Sequence, residues 1–137
     1  MSSLTHRIVL VEDNAADVYL IEEALRLHAQ GAQLEVLSDG EAALAYIDRL
    51  QATPGVEWPQ LILIDLNLPK ISGWEVLKKI RSHPTGSTVR IAILTSSSLA
   101  ADRRRALELG ATRYLEKPSS YSELMTLGET IGEMLAG

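Results

Sequence analysis

The sequence contains no cysteine, which removes disulfide frameworks, thiolate zinc sites and cysteine nucleophiles together. Phenylalanine is also absent, and aromatic residues make up only 4% of the chain, too few for a base-stacking platform. Positive charge is in deficit. Lys and Arg number 13 against 18 Asp and Glu, a formal net charge of −5, the wrong sign for binding nucleic acid by charge alone. No apolar run approaches the roughly 18 residues of a membrane span, and the opening MSSLTHRIVL lacks the apolar region of a signal peptide. A Gly-rich phosphate loop of the nucleotide-binding kind is missing too. What is present is ordinary for a folded domain: 46% hydrophobic and 23% charged residues over 137 positions, with a mean hydropathy of +0.05. The expectation is one acidic domain over residues 1–137, cytoplasmic, with no direct nucleic-acid or membrane partner.

Along the chain, short apolar runs alternate with helix-like segments. Ile8–Val11 and Leu61–Ile64 show no polar alternation, as expected of strands buried on both faces of a parallel sheet. Leu34–Leu37, Ile91–Leu94 and Arg113–Glu116 supply three further strands. Between them, Asn14 caps a helix running to about Ala29, in which Val18, Ile21 and Leu25 recur at helical spacing. Further helices are expected over Glu41–Leu50, Gly73–Ser82, Leu99–Leu109 and Tyr121–Leu135, with Gln51–Pro59 as the one longer loop. Five strand–helix units with short links imply an α/β fold with a parallel sheet covered by helices on both faces.

Ligands bind such sheets outside the carboxyl ends of the strands. The residues that follow the apolar runs are Glu12 and Asp13, then Asp65, Thr95 and Lys117. Each alone has a bland reading as a turn residue, a cap or a solvated side chain. Together they place three carboxylates, a hydroxyl and an ammonium at one rim. A cluster carrying nearly three negative charges needs a divalent cation to be tolerable. Oxygen donors without His or Cys favour Mg²⁺, which completes its shell with water and phosphate oxygens. A lysine and a hydroxyl beside it suit the oxygens of a phosphoryl group, and a carboxylate is available as nucleophile.

The motifs VEDN (Val11–Asn14), DLNLPKISGWEVL (Asp65–Leu77), ILTSS (Ile93–Ser97) and GATRYLEKP (Gly110–Pro118) resemble the receiver domain of two-component response regulators. The resemblance covers about Arg7 to Leu135. It implies a doubly wound, flavodoxin-like sheet of strand order 2-1-3-4-5. Asp65 would be the phosphoacceptor, served by a sensor histidine kinase. Asp13 would ligate Mg²⁺, Glu12 would hold it through water, and Asn67 would offer its backbone carbonyl. Lys117 and Thr95 would hold the phosphoryl oxygens. Tyr114 would be the switch aromatic, swinging inward as Thr95 moves. Asn67 and Ser97 occupy the positions that tune access of hydrolytic water, and Lys117-Pro118 resembles the family's cis peptide. The Gln51–Pro59 insertion, DLNLPK and LTSS are similar to single-domain regulators that partner bacterial phytochrome kinases, although Ala15 stands where such relatives often carry proline.

Two alternatives stay open. Haloacid-dehalogenase-like phosphohydrolases use a similar Asp, Thr, Lys and Mg²⁺ set, but need a second acid two residues after the nucleophile, where this chain has Asn67. A pseudo-receiver acting only as an interaction module is the other. The residues after Pro118 suffice for one last helix, so output is expected by contact rather than through an appended domain. On that helix, Leu124, Ile131 and Leu135 form a core stripe, with Leu127 and Met134 beyond one edge and Tyr121 and Met125 beyond the other. An exposed apolar edge at Leu127 and Met134 points to a homodimer through helix 4, strand 5 and helix 5. Gly73 is expected to serve a turn. Arg103, Arg104 and Arg105 read as a solvated helix face, and His6, His28 and His83 as structural or solvent-facing.

Overall fold

Runs of Ile, Leu and Val with no polar partner positions can be buried only between two layers, and here they form the middle of one sheet. The computed structural model describes residues 6–136. Strands and helices alternate: β1 (Arg7–Val11), α1 (Ala15–His28), β2 (Gln33–Leu37), α2 (Gly40–Ala52), β3 (Leu61–Asp65), α3 (Gly73–Arg81), β4 (Arg90–Thr95), α4 (Ala100–Glu108), β5 (Arg113–Glu116) and α5 (Tyr121–Ala136). All pairings are parallel, in the order β2-β1-β3-β4-β5. This is the expected doubly wound, flavodoxin-like strand order. Among the described residues no helix is long and apolar enough to cross a membrane.

Successive strand residues face opposite sides, so the interior divides in two. Val9, Ile62, Ile64, Ile91 and Ile93 pack with Ala43, Ile47, Val76, Leu77 and Ile80 on the α2–α3–α4 side. Ile8, Leu10, Leu61, Leu63 and Leu94 pack with Ile21, Leu25, Leu127, Ile131 and Leu135 on the α1–α5 side. Each Val, Leu or Ile among them, when fully buried, stabilises the fold by roughly 1.5–3 kcal/mol before entropy is counted.

Several boundaries depart from expectation for local reasons. Helix α2 continues through Gln51 and Ala52, because nothing breaks it before Thr53, which is extended ahead of Pro54. Gln51 also donates from Nε2 to the Lys79 carbonyl at 3.3 Å. A 3₁₀ turn at Gly86–Thr88, unforeseen, links α3 to β4. No peptide bond among the described residues is cis, so Lys117–Pro118 is trans, the intrinsically favoured isomer.

The expected apolar edge of α5 is not exposed. Leu127 and Met134 are 5% and 7% accessible. The cause lies in α1: a Cβ on Gly128 would stand 2.3 Å from His28 Cδ2, so α1 and α5 meet at glycine distance. Helix α5 is thereby covered by the sheet and by α1. Of its broad stripe, Leu127, Ile131, Met134 and Leu135 are core. Leu124, expected in the core stripe, and Met125 are half-buried near the helix start, where α5 has just left the sheet rim. Tyr121 alone on that stripe is well exposed, at 69%. The homodimer inference drawn from Leu127 and Met134 loses its premise.

Candidate functional site

Strand register sets the site. Val11 pairs with Ile64, Asp65 with Leu94 and Thr95 with Glu116. Pairing continues past the strands, with Glu12 N–H donating to the Leu37 carbonyl at 3.0 Å and Lys117 N–H to the Thr95 carbonyl at 2.8 Å. Glu12, Asp65, Thr95 and Lys117 are therefore fixed at one rim by ladder hydrogen bonds rather than by flexible loops.

Asp65 is the last residue of β3 and is buried at 2% exposure. The Asn67 N–H donates to its Oδ1 at 3.1 Å. The chain then turns tightly: Ile71 N–H donates to the Pro69 carbonyl at 2.8 Å around Lys70, whose φ is +66°, a γ-turn of the strained hand. Gly73 then opens α3 directly beneath the acid. A Cβ there would lie 2.3 Å from the Asp65 carbonyl oxygen, so Gly73 serves close approach to the acidic strand end as well as the turn.

At the end of β1, Glu12 is buried and Asp13 exposed. Asn14 N–H donates to Glu12 Oε2 at 3.2 Å, and Asn14 Oδ1 caps α1 by accepting from Asp17 N–H at 3.0 Å. Oxygens of Glu12, Asp13 and Asp65 all lie within 4.8 Å of one another. Burial raises the Glu12 carboxyl; Lys117 opposes the shift and Asp65 reinforces it, leaving the group at about 7. This crowded, hard-oxygen donor set fits a divalent cation such as Mg²⁺ or Mn²⁺.

Lys117 reaches in from the end of β5. Its Nζ donates to Asp17 Oδ2 at 2.7 Å and to Asp65 Oδ2 at 3.3 Å. It also forms an ion pair at 2.9 Å with Glu12 Oε1, which has no other partner among the described residues. Burial works against the ammonium, but the hydrogen bonds to Asp17 and Glu12 and the charges of Asp65 and Glu12 outweigh it and hold Lys117 above the ordinary lysine range. Asp17 is the site residue that sequence reasoning misses, because an acid in the first turn of a helix reads as a partner of the helix dipole.

Thr95 ends β4 fully buried, its Oγ1 accepting from Ser97 N–H at 3.2 Å. Tyr114 is 5% exposed and its hydroxyl donates to the Ser97 carbonyl at 2.8 Å, so the aromatic stands inward here rather than awaiting an inward swing. The arginine run is not simply solvated. The Arg103 guanidinium lies over the Tyr114 ring at 5.0 Å and that of Arg105 over Trp74 at 4.4 Å. Of the histidines, His83 stacks on Trp58 with centroids 5.5 Å apart and His28 seats against Gly128; neither joins the acidic cluster.

Residues 8–128 match the response regulator receiver domain family. The chain belongs to that family. FilR2, a probable methanogenesis regulatory protein of Methanothrix harundinacea, is 38% identical over 130 residues, 95% of this chain and 83% of that protein. Response regulator Rcp1 of Synechocystis sp. is 36% identical over 124 residues, 90% of this chain and 84% of that protein. The crystal structure of its Mn²⁺-bound form matches with a TM-score of 0.78 over 92% of this chain and 91% of that one, at 35% identity. That of the phosphorylated cyanobacterial phytochrome response regulator RcpA matches with a TM-score of 0.83 over 97% and 95%, at 34% identity. Receiver domains are signalling modules of two-component systems, and this receiver carries an acidic pocket suited to a divalent cation.

Proposed function

We propose that this receiver accepts a phosphoryl group on Asp65 from the phosphohistidine of a sensor kinase and signals by phosphorylation-dependent protein contact. The observation that carries the reading is the buried Asp65 carboxylate, with the Lys117 ammonium 3.3 Å from Oδ2 and Glu12 and Asp13 at its side. An Asp65 oxygen forms the new O–P bond as the P–N bond to the kinase imidazole breaks, and the electron pair leaves with that nitrogen. Asp13, Asp65 and the Asn67 carbonyl, with Glu12 beside them, would hold Mg²⁺, which would supply neutralisation of the charge on the transferring group. Lys117 and the Thr95 hydroxyl bind phosphoryl oxygens, and Asn67 and Ser97 border the path of hydrolytic water.

The phosphoryl group adds about −1.5 to −2 charges. Its pull on Thr95 acts on Ser97 two residues on, and through the Ser97 carbonyl on Tyr114. The output face is therefore assigned to α4, β5 and α5, where Arg103, Tyr114, Leu115, Glu123 and Leu127 line a groove of about 320 Å³. The likeness to a phytochrome response regulator supports a bacterial phytochrome as the kinase. Intact mass after acetyl phosphate and Mg²⁺ tests the acceptor. One phosphoryl group is expected on the wild type and none on Asp65→Asn or in chelator; equal labelling of Asp65→Asn would sink the assignment.

A further inference from the structure

Lys117 has three ammonium protons and faces three carboxylates. The shortest of its contacts is to Asp17, at 2.7 Å, and the longest to Asp65, at 3.3 Å. Asp17 lies on the first turn of α1, outside the carboxylate trio that can hold a cation. Its side chain is 26% accessible where Asp65 is 3% and Glu12 is 0%, so it borders the pocket on the solvent side. Its backbone N–H is satisfied by Asn14 whatever the side chain. The contact joins residues 100 positions apart and no local element requires it.

We propose that Asp17 is a positioning residue for Lys117, an anchor that holds the ammonium toward α1 and competes with the phosphoryl group for it. The inference rests on Asp65 being the phosphoacceptor. A phosphoryl group on Asp65 gains from Lys117 only the difference between the new contact and the one that Asp17 already provides. The Lys117 ammonium would still hydrogen-bond to an amide oxygen, but only the carboxylate adds the attraction of a full opposite charge, so it is a stronger competitor than an amide of the same shape. Asp17 thus lowers the occupancy of the phosphorylated state and makes the domain easier to reset.

The test is a titration with beryllofluoride, a phosphoryl mimic, in saturating Mg²⁺, followed by thermal shift. Asp17→Asn is expected to bind about two- to fivefold tighter than wild type, with an unchanged circular-dichroism spectrum, and Asp17→Glu to return to wild-type affinity. In a Lys117→Met background the Asp17→Asn gain should vanish. A gain that persists there means that Asp17 repels the anion directly, and unchanged or weaker binding by Asp17→Asn also overturns the proposal. If Lys117→Met binds too weakly to titrate, exchange of the Lys117 Nζ protons in metal-free protein decides: faster exchange in Asp17→Asn supports the anchor, and equal exchange overturns it. Wild type that fails to bind beryllofluoride overturns the phosphoacceptor reading itself, and this inference with it.

Discussion

A methyl group on Gly73 has nowhere to go, because the Asp65 carbonyl oxygen would be only 2.3 Å from it. Backbone cannot yield as a flexible side chain can, so Gly73→Ala should cost about 1–3 kcal/mol in urea melts. It should also slow labelling of Asp65 by acetyl phosphate, since the strain falls on that residue. Lys70, in the turn just before, is the opposite case: it sits at φ +66° with its side chain in solvent. Left-handed backbone costs an L-residue about 1–2 kcal/mol, and glycine surrenders roughly half of that relief to chain entropy. Lys70→Gly should therefore raise stability by about 0.5–1 kcal/mol, read as a higher urea midpoint at unchanged slope. Neither demand can be read from the residues alone. Nor can the role of Asp17: its spacing from Asn14 points to helix capping, and only the return of the chain at β5 brings Lys117 to it.

The interior strands are legible in the sequence because an unbroken apolar run has few places to go. Leu61–Ile64 needs burial on both faces and finds it. Strand β2 obeys a weaker rule: at the sheet edge it exposes Gln33, Glu35 and Val36, and its alternation is correspondingly loose. Helix α5 defeats the helical wheel, which records the width of an apolar arc but not how many surfaces cover it. Gly128 is the available signal, a residue small enough for α1 to come close. The correction changes an experiment. With Leu127 and Met134 buried, Leu127→Glu or Met134→Glu places a carboxylate in the core, and each should unfold the domain or lower its stability by several kcal/mol. A probe of the output face should instead use Arg103→Ala, which removes the cation over Tyr114 at the surface; it should leave Asp65 labelling intact while weakening partner contact.

At the scale of the molecule the sheet has two unlike ends. One carries the carboxylates. The other is tied by Arg81, which donates to the carbonyls of Gly86 and Val89 at 2.6 Å and of Gly110 at 2.8 Å. Repulsion therefore concentrates at the signalling end, and a cation that binds only the folded chain should stabilise it by about 1.4 kcal/mol at ten times its Kd. Asp13→Asn should melt about 2–4 °C above wild type in chelator and lose the response to Mg²⁺. A wild-type melting curve indifferent to millimolar Mg²⁺ would contradict this. The order of the ionic groups along the chain also gives the site a history. Glu12, Asp13 and Asp65 are synthesised early and are brought together as soon as β1 and β3 pair, whereas their counter-charge, Lys117, leaves the ribosome 52 residues after Asp65. The acids thus come from the first half of the chain and their base from the last strand, so their charge is offset only once β5 has docked on β4.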